Sequence, residues 1–340
     1  MMSCLQSSWP EPIVRVQALS ESGIRAIPER YIKPLSDRPN WPKTSAAVTS
    51  KKNSETSPLI NIPVIDLQNL FSNDQSLCDK TLSLVSHACR EWGFFQIINH
   101  GVSPELMKSA RKTWREFFSL PLDVKQEYAN SPTTYEGYGS RLGVQKGAIL
   151  DWSDYFFLHY MPRSQRNESK WPQLPPSCRK VIAEYGEETV KLCGRLMEIL
   201  SINLGLGKEY LQNEFGGGLT LLLPDDDVSG LQVRKCNDWV TVKPVPNAFI
   251  VNVGDQIQVL SNAIYKSVEH RVIVNAVKDR VSLALFYNPK SDLLIEPAKH
   301  LVTEDRPALY PPMTFDEYRL YIRTNGPCGK AQVESLKSPR

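Results

Sequence analysis

Apolar residues fall in three textures along the chain. Through residue 60 they are sparse, broken by prolines, and end in a polar stretch from Ser45 to Ser57. This pattern predicts a short docking segment around Val14–Leu19 and then a flexible linker. From Asn61 the texture becomes helical with inset strands. Asn61–Leu67 (NIPVIDL) is a compact apolar strand with a proline at its entry. Leu77, Leu82, Val85 and Ala88 recur at helical spacing until Trp92-Gly93 breaks the pattern, and Phe94–Asn99 (FFQIIN) then reads as a buried strand. Ser103-Pro104 supplies an N-cap and a proline at the first helical position, opening a helix through Trp114 to Phe118. A longer helix spans about Ser177 to Leu204, with Val181, Tyr185, Leu192, Leu196, Ile199 and Leu200 as its core-facing stripe.

From Leu219 the texture changes to short strands. They are predicted at Leu219–Leu223, Leu231–Lys235, Trp239–Lys243, Ala248–Val253, Tyr265–Val274 and Arg280–Tyr287, separated by turns such as Asn275–Asp279. Helices followed by closely spaced strands imply an α+β chain, a sandwich or barrel with a helical layer against it. Thr314–Thr324 closes the pattern as a short amphipathic helix before a polar tail, and no segment repeats.

Composition narrows the class. The 340 residues are 41% apolar and 23% charged, the balance of a globular protein with a sizeable core. Forty basic residues meet 37 acidic ones, for a net charge of +3, and no basic run is longer than Lys51-Lys52. The expectation is a mixed solvated surface and no nucleic-acid partner. No stretch reaches the roughly 18 apolar residues of a membrane helix. The N-terminus lacks the basic and apolar regions of a secretory leader. The seven cysteines are scattered and form no CxxC pair. A cytoplasmic protein with free thiols is expected.

The densest chemistry lies in the segment from His270 to Ser282. Alternation places Arg280, Ser282, Ala284 and Phe286 on one strand face. An arginine buried beside a hydroxyl on an apolar strand is costly unless an anion meets it, and its fork suits a carboxylate. From these residues alone, an exposed Arg280 with an incidental Ser282 is an equal reading. His270 by itself is more often a packed or surface residue than a ligand. Arg319 and Arg323, four apart, share a face of the C-terminal helix.

Seven segments carry a resemblance: NIPVIDL (61–67), WGFFQIINHGV (92–102), YEGYGSRLG (135–143), DWSDYFFLH (151–159), VNVGDQIQVLSN (251–262), YKSVEHRV (265–272) and RVSLALFYNP (280–289). Together they resemble the plant 2-oxoglutarate and Fe(II)-dependent dioxygenases of the isopenicillin-N-synthase-like superfamily. WPEPIVRVQ near the N-terminus and FDEYRLYIRTNGP (315–327) resemble, within it, the jasmonate-induced oxygenases, which hydroxylate jasmonic acid. The resemblance implies a double-stranded β-helix (jelly-roll) barrel with a helical N-terminal layer. It also implies Fe(II) held by a His-x-Asp pair and a distal histidine, with 2-oxoglutarate as co-substrate and ascorbate as a possible further cofactor. His270 matches the distal histidine, and Arg280 and Ser282 match the anchor of the 2-oxoglutarate carboxylate. Arg319 and Arg323 would clamp the carboxylate of a small acid substrate, with Phe156, Phe157, Phe286 and Tyr287 as candidate apolar walls. A flavonoid is the alternative substrate class.

The His-x-Asp pair is missing. The five histidines begin His87-Ala-Cys, His100-Gly-Val, His159-Tyr-Met, His270-Arg-Val and His300-Leu-Val. Phe215-Gly216-Gly217 runs directly into Gly218-Leu219-Thr220, where the family carries roughly thirty residues with a strand, a turn and the two ligands. The flanks are in register, as exon skipping or a faulty gene model would leave them. Asp225, Asp226 and Asp227 follow Pro224 in a loop, without a histidine beside them. The expected organisation is a segment and linker (1–60), an N-terminal dioxygenase region (61–170) and a long helix with its connection (171–217). A barrel truncated near 215–219 follows with the C-terminal helix (218–327), and then a tail (328–340). Such a chain is expected to have little or no dioxygenase activity. The alternatives are a non-catalytic anion-binding relative and an unstable product.

Overall fold

A computed structural model describes residues 13–38, 61–130, 135–140, 149–236, 238–325, 333–334 and 336–337. The predicted linker from Ser45 to Ser57 lies outside them. The N-terminal segment forms helix α1 (Val16–Glu21), docked by Asp154, whose carboxylate accepts from the Val16 and Gln17 amides at 3.0 and 3.1 Å. Strand β1 (Val64–Asp66) leads to helix α2 (Gln75–Glu91), strand β2 (Phe94–Ile98) and helix α3 (Pro104–Phe118). The Ser103 hydroxyl caps α3 by accepting from the Leu106 amide. Helix α4 (Leu122–Gln126) and a hairpin of β3 (Gly137–Gly139) and β4 (Tyr155–Phe157) precede the long helix α5 (Cys178–Asn203).

A π-helical turn, Leu211–Phe215, then delivers the chain straight into β5 (Leu219–Leu223). Gly216 ends that turn in the left-handed region, at φ 78°, where a side chain is strained. A Cβ on Gly217 would stand 2.3 Å from the Asn288 carbonyl carbon. The junction is thus closed by backbone contacts that only glycine permits. Strands β6 (Leu231–Lys235), β7 (Asp238–Thr241) and β8 (Phe249–Val253) follow, then helix α6 (Asp255–Leu260). Strands β9 (His270–Val272), β10 (Leu283–Tyr287), β11 (Leu294–Ile295) and β12 (Met313–Thr314) and helix α7 (Phe315–Asn325) complete the described elements.

Two sheets face each other. The first has the order β1-β2-β8-β5-β10, antiparallel except for β1 and β2; the second has the order β7-β6-β9. Alternation divides each central strand of the first sheet. Phe95, Leu221, Phe249 and Val251 pack with the helical layer of α2, α3 and α5, whereas Phe94, Leu222 and Ile250 meet Leu231 and Val233 of the second sheet. The barrel does not close. Among the described residues, β10 borders only β5 and β9 borders only β6, so each sheet ends on an open edge. The expected incomplete jelly roll with a helical layer is the observed architecture.

The predicted strand Tyr265–Val274 shrinks to β9. Its first half is a loop because its amides are taken by helical elements: Tyr265 N–H donates to Ser261 Oγ, Lys266 N–H to the Cys89 carbonyl, and Ser267 N–H to Gln258 Oε1. No described helix is long and apolar enough to cross a membrane.

His100, buried at the end of β2, gives this core a pH dependence. Its Nδ1 accepts from the Val102 amide at 3.2 Å, so Nε2 carries the proton and donates to the Asn247 carbonyl at 3.0 Å. Burial holds its pKa below the ordinary histidine value. As pH falls through about 6.5 the unfolded chain takes up a proton that the folded chain refuses, so stability is lost downward from there. Melting temperature should therefore fall between pH 7.5 and 5.5, and His100→Asn should flatten that slope. An unchanged slope in the variant would exclude His100 as its source.

Candidate active-site cleft

Directly opposite residues of an antiparallel pair share a face, which places the predicted residues. Phe286 lies opposite Thr220 and Ala284 opposite Leu222, on the side of the first sheet that looks toward the second. Phe286 is nevertheless 59% exposed, because nothing described continues the sheet beyond β10. On the other wall His270 lies opposite Val233, and its ring meets Phe94 at 5.1 Å between the sheets. His270 Nδ1 lies 3.2 Å from the Val268 carbonyl, which fixes the proton on that nitrogen. His270 and Phe286 thus both lie on the inward faces of the two sheets, on strands that end at open edges.

Arg280 lies just before β10, against Gly230. Its Nη1 donates to Ser282 Oγ at 3.2 Å, and its Nε is buried without a hydrogen-bond partner. Burial pushes its pKa below the usual arginine value, partly offset by the charge of Asp225. The side chain passes Gly230, where an added Cβ would stand 3.2 Å from Arg280 Cδ and 3.3 Å from Nε. The pair is a desolvated cation beside a hydroxyl, with a donor left over: the chemistry of a carboxylate receptor.

Asp225 is the residue that sequence reasoning missed in this neighbourhood. The first of three consecutive aspartates, it is 1% exposed. Its Oδ1 accepts from the Asp227 and Val228 amides at 2.9 and 2.8 Å and pairs with Arg115 Nη2 at 2.9 Å, while Oδ2 accepts from the Val281 amide at 2.8 Å. Burial opposes its charge, but these hydrogen bonds from Val281, Asp227 and Val228, with Arg115, hold the carboxyl below its usual pKa. Arg111 of α3 donates from Nε to the neighbouring Pro224 carbonyl at 3.0 Å.

The predicted residues Phe156, Phe157, Arg319 and Arg323 lie on the β3–β4 hairpin and on α7. Phe157 sits on the β3–β4 hairpin, its ring 4.9 Å from that of His159. Phe156 packs into the aromatic core with Trp114 and Phe117. Arg319 on α7 donates to Asp316 Oδ1 at 2.5 Å and lies over the Phe315 ring, with its Nε buried and unpartnered. The Arg323 side chain lies outside the described residues. Tyr318 ties α7 to α6 by donating to Asp255 Oδ2 at 2.5 Å.

An iron centre does not fit the donors present. Among the described residues no three His, Cys, Asp or Glu side chains are grouped to hold a metal ion, and all five histidines are described. The Asp225 oxygens are already committed to three amides and an arginine.

The lineage is clear despite that. Residues 62–177 match the family described as non-haem dioxygenase in morphine synthesis N-terminal, and residues 209–289 match the 2OG-Fe(II) oxygenase superfamily. With full-length relatives at more than half identity, the chain belongs to the 2OG-Fe(II) oxygenase superfamily. Its relatives there include jasmonate-induced oxygenases of Arabidopsis thaliana. It is 55% identical to jasmonate-induced oxygenase 2 over 363 residues (98% of this chain, 95% of the relative) and 56% identical to jasmonate-induced oxygenase 1 over 369 residues (99% and 90%). The crystal structure of JOX2 in complex with 2OG, Fe and JA superposes with a TM-score of 0.85 at 54% identity, covering 97% of this chain and 99% of that one. Since 98% of 340 residues is about 333, the match over 363 positions leaves about thirty residues of the relative with no counterpart here.

Proposed function

We propose that this chain is a jasmonate-oxygenase relative that keeps the carboxylate-binding side of the site and lacks the iron-binding side, and so does not turn over. Arg280 and Ser282 receive the remote carboxylate of a 2-oxoacid, and Arg319 and Arg323 receive a small carboxylic acid of the jasmonate type. The relatives' names and the bound JA of the JOX2 crystal structure support that substrate class. A bound ferrous ion would supply the oxidative chemistry at such a site, and toward it this chain would offer His270 with Arg280 and Ser282 beyond. The observation that carries the reading is His270 standing on an open edge strand, while among the described residues no three His, Cys, Asp or Glu side chains are grouped to hold a metal ion. One imidazole gives too little affinity to hold the metal in a defined geometry.

The test is anaerobic equilibrium dialysis of the purified chain against micromolar Fe(II). Far less than one iron per chain should be retained, and His270→Ala should change nothing. One tightly held iron per chain, lost in that variant, would overturn the reading.

A further inference from the structure

We propose that Asp225 is a positioning residue for the Arg280–Ser282 clamp, and that it ties the clamp to helix α3. The inference rests on the reading of Arg280 and Ser282 as a carboxylate receptor. It starts from an amide. Val281 lies between the two clamp residues in sequence, and its N–H donates to Asp225 Oδ2 at 2.8 Å. Holding that amide fixes the peptide plane joining Arg280 to Val281, and with it the directions in which the Arg280 and Ser282 side chains leave the backbone.

The other carboxylate oxygen is held from the opposite side. Oδ1 takes the Asp227 and Val228 amides and Arg115 of α3, and Arg111 of the same helix grips the Pro224 carbonyl one residue earlier. Asp225 therefore cannot swing, since its side chain is wholly buried and both oxygens are occupied. Its negative charge also bears on Arg280. Gly230 completes the cradle, leaving no room for a Cβ beside the arginine. The result is a guanidinium held by Ser282 on one arm, with an unspent buried Nε–H. A receptor aimed before its ligand arrives loses less ordering entropy on binding.

Asp226 provides an internal control. It pairs with the same Arg115 Nη2 at 2.7 Å but is exposed. Asp225→Asn and Asp226→Asn make the same charge change on one arginine, and only the first touches the Val281 amide.

The experiment is NMR of the full chain in iron-free buffer, following the Arg280 Nε–H signal (assigned with Arg280→Lys) and Val281 amide exchange while 2-oxoglutarate is added. In Asp225→Asn the Val281 amide should exchange on the order of tenfold faster or more, as for loss of a charge-assisted hydrogen bond. The Arg280 signal should shift, and 2-oxoglutarate affinity should fall on the order of tenfold. Asp226→Asn should leave all three unchanged. If Asp225→Asn does not fold, Arg115→Gln carries the test: it keeps the three amide bonds and should still shift Arg280 and weaken binding severalfold. Wild-type Arg280 and Val281 signals in the folded variant would overturn the proposal. A wild-type Arg280 that ignores 2-oxoglutarate would instead sink the clamp reading, with Asp225 positioning still decided by the Arg280 and Val281 signals of the variants.

Discussion

Inserting between Gly217 and Gly218 a segment of about thirty residues, the number by which the match to jasmonate-induced oxygenase 2 exceeds this chain, should turn a chain expected to make no succinate into one that does. The reasons lie on both walls of the cleft. His270 already faces the space between the sheets, and just before β10 Arg280 is already paired with Ser282, with a buried Nε–H left over for an anion. What the described residues lack is a group of donors around a metal, and the segment that the resemblance implies would bring a His-x-Asp pair. Turnover should rise from background to the ordinary enzyme range, on the order of 1 s⁻¹ or above. The same insert with its histidine and aspartate changed to alanine should restore the fold without the activity. If the intact insert raises the melting temperature and still yields no Fe(II)-dependent succinate, the lesion lies elsewhere in the chain.

The unmodified chain should self-associate, and a single lysine on β10 should largely reverse it. β10 reads LALFY, without charge or proline, and β9 and β10 are both open edges among the described residues. Unpaired N–H and C=O rows template pairing with another chain, and natural edges are blunted by charge, above all by lysine. Here the edge is instead flanked by exposed apolar side chains: Phe286 at 59%, Val272 at 52% and Val277 at 88%. Light scattering should show mass growing with concentration. Phe286→Lys, at a position already open to solvent, should bring it back toward a monomer, as should the insert, which supplies strands to cover the edges. A wild-type chain that stays monomeric over the whole range would show the edges to be protected.

The helical half was legible from the chain because its signals are local. The 3.6-residue stripes of α2, α3 and α5 and the Ser103-Pro104 start need no distant partner, and those helices form where the periodicity places them. β5, β6 and β8 were legible for a similar reason, since each is a short apolar run bounded by turn residues. Where pairing decides, the chain was less informative. Tyr265–Glu269 has strand composition, yet its first amides are spent on Ser261 and Gln258 at the end of α6 and on Cys89 of the distant α2. The β3–β4 hairpin, with Gly-Tyr-Gly as one strand, carries no alternation to read.

The site divides along the same line. Arg280, Ser282 and His270 were singled out from pattern and resemblance; in the fold Arg280 donates to Ser282, and register turns His270 and Phe286 toward the space between the sheets. Asp225 was not found, because nothing in Asp225-Asp226-Asp227 tells the buried carboxylate from its exposed neighbour until Val281 and Arg115 are brought to it. Spacing put Arg319 and Arg323 on one helix face and resemblance suggested the clamp; what the chain did not announce is the Asp316 carboxylate that holds Arg319 from one turn earlier on the same helix. The three glycines at 216–218 carry two meanings: the resemblance puts the missing segment of about thirty residues at them, and they let the chain turn tightly into β5, as Gly216 and Gly217 show.

The most direct test is succinate formation by the purified, unmodified chain supplied with Fe(II), ascorbate, 2-oxoglutarate and jasmonic acid. The carboxylate side without the iron side predicts succinate at the level of an iron-free control. Succinate that rises with Fe(II) and is abolished by Arg280→Ala would contradict it.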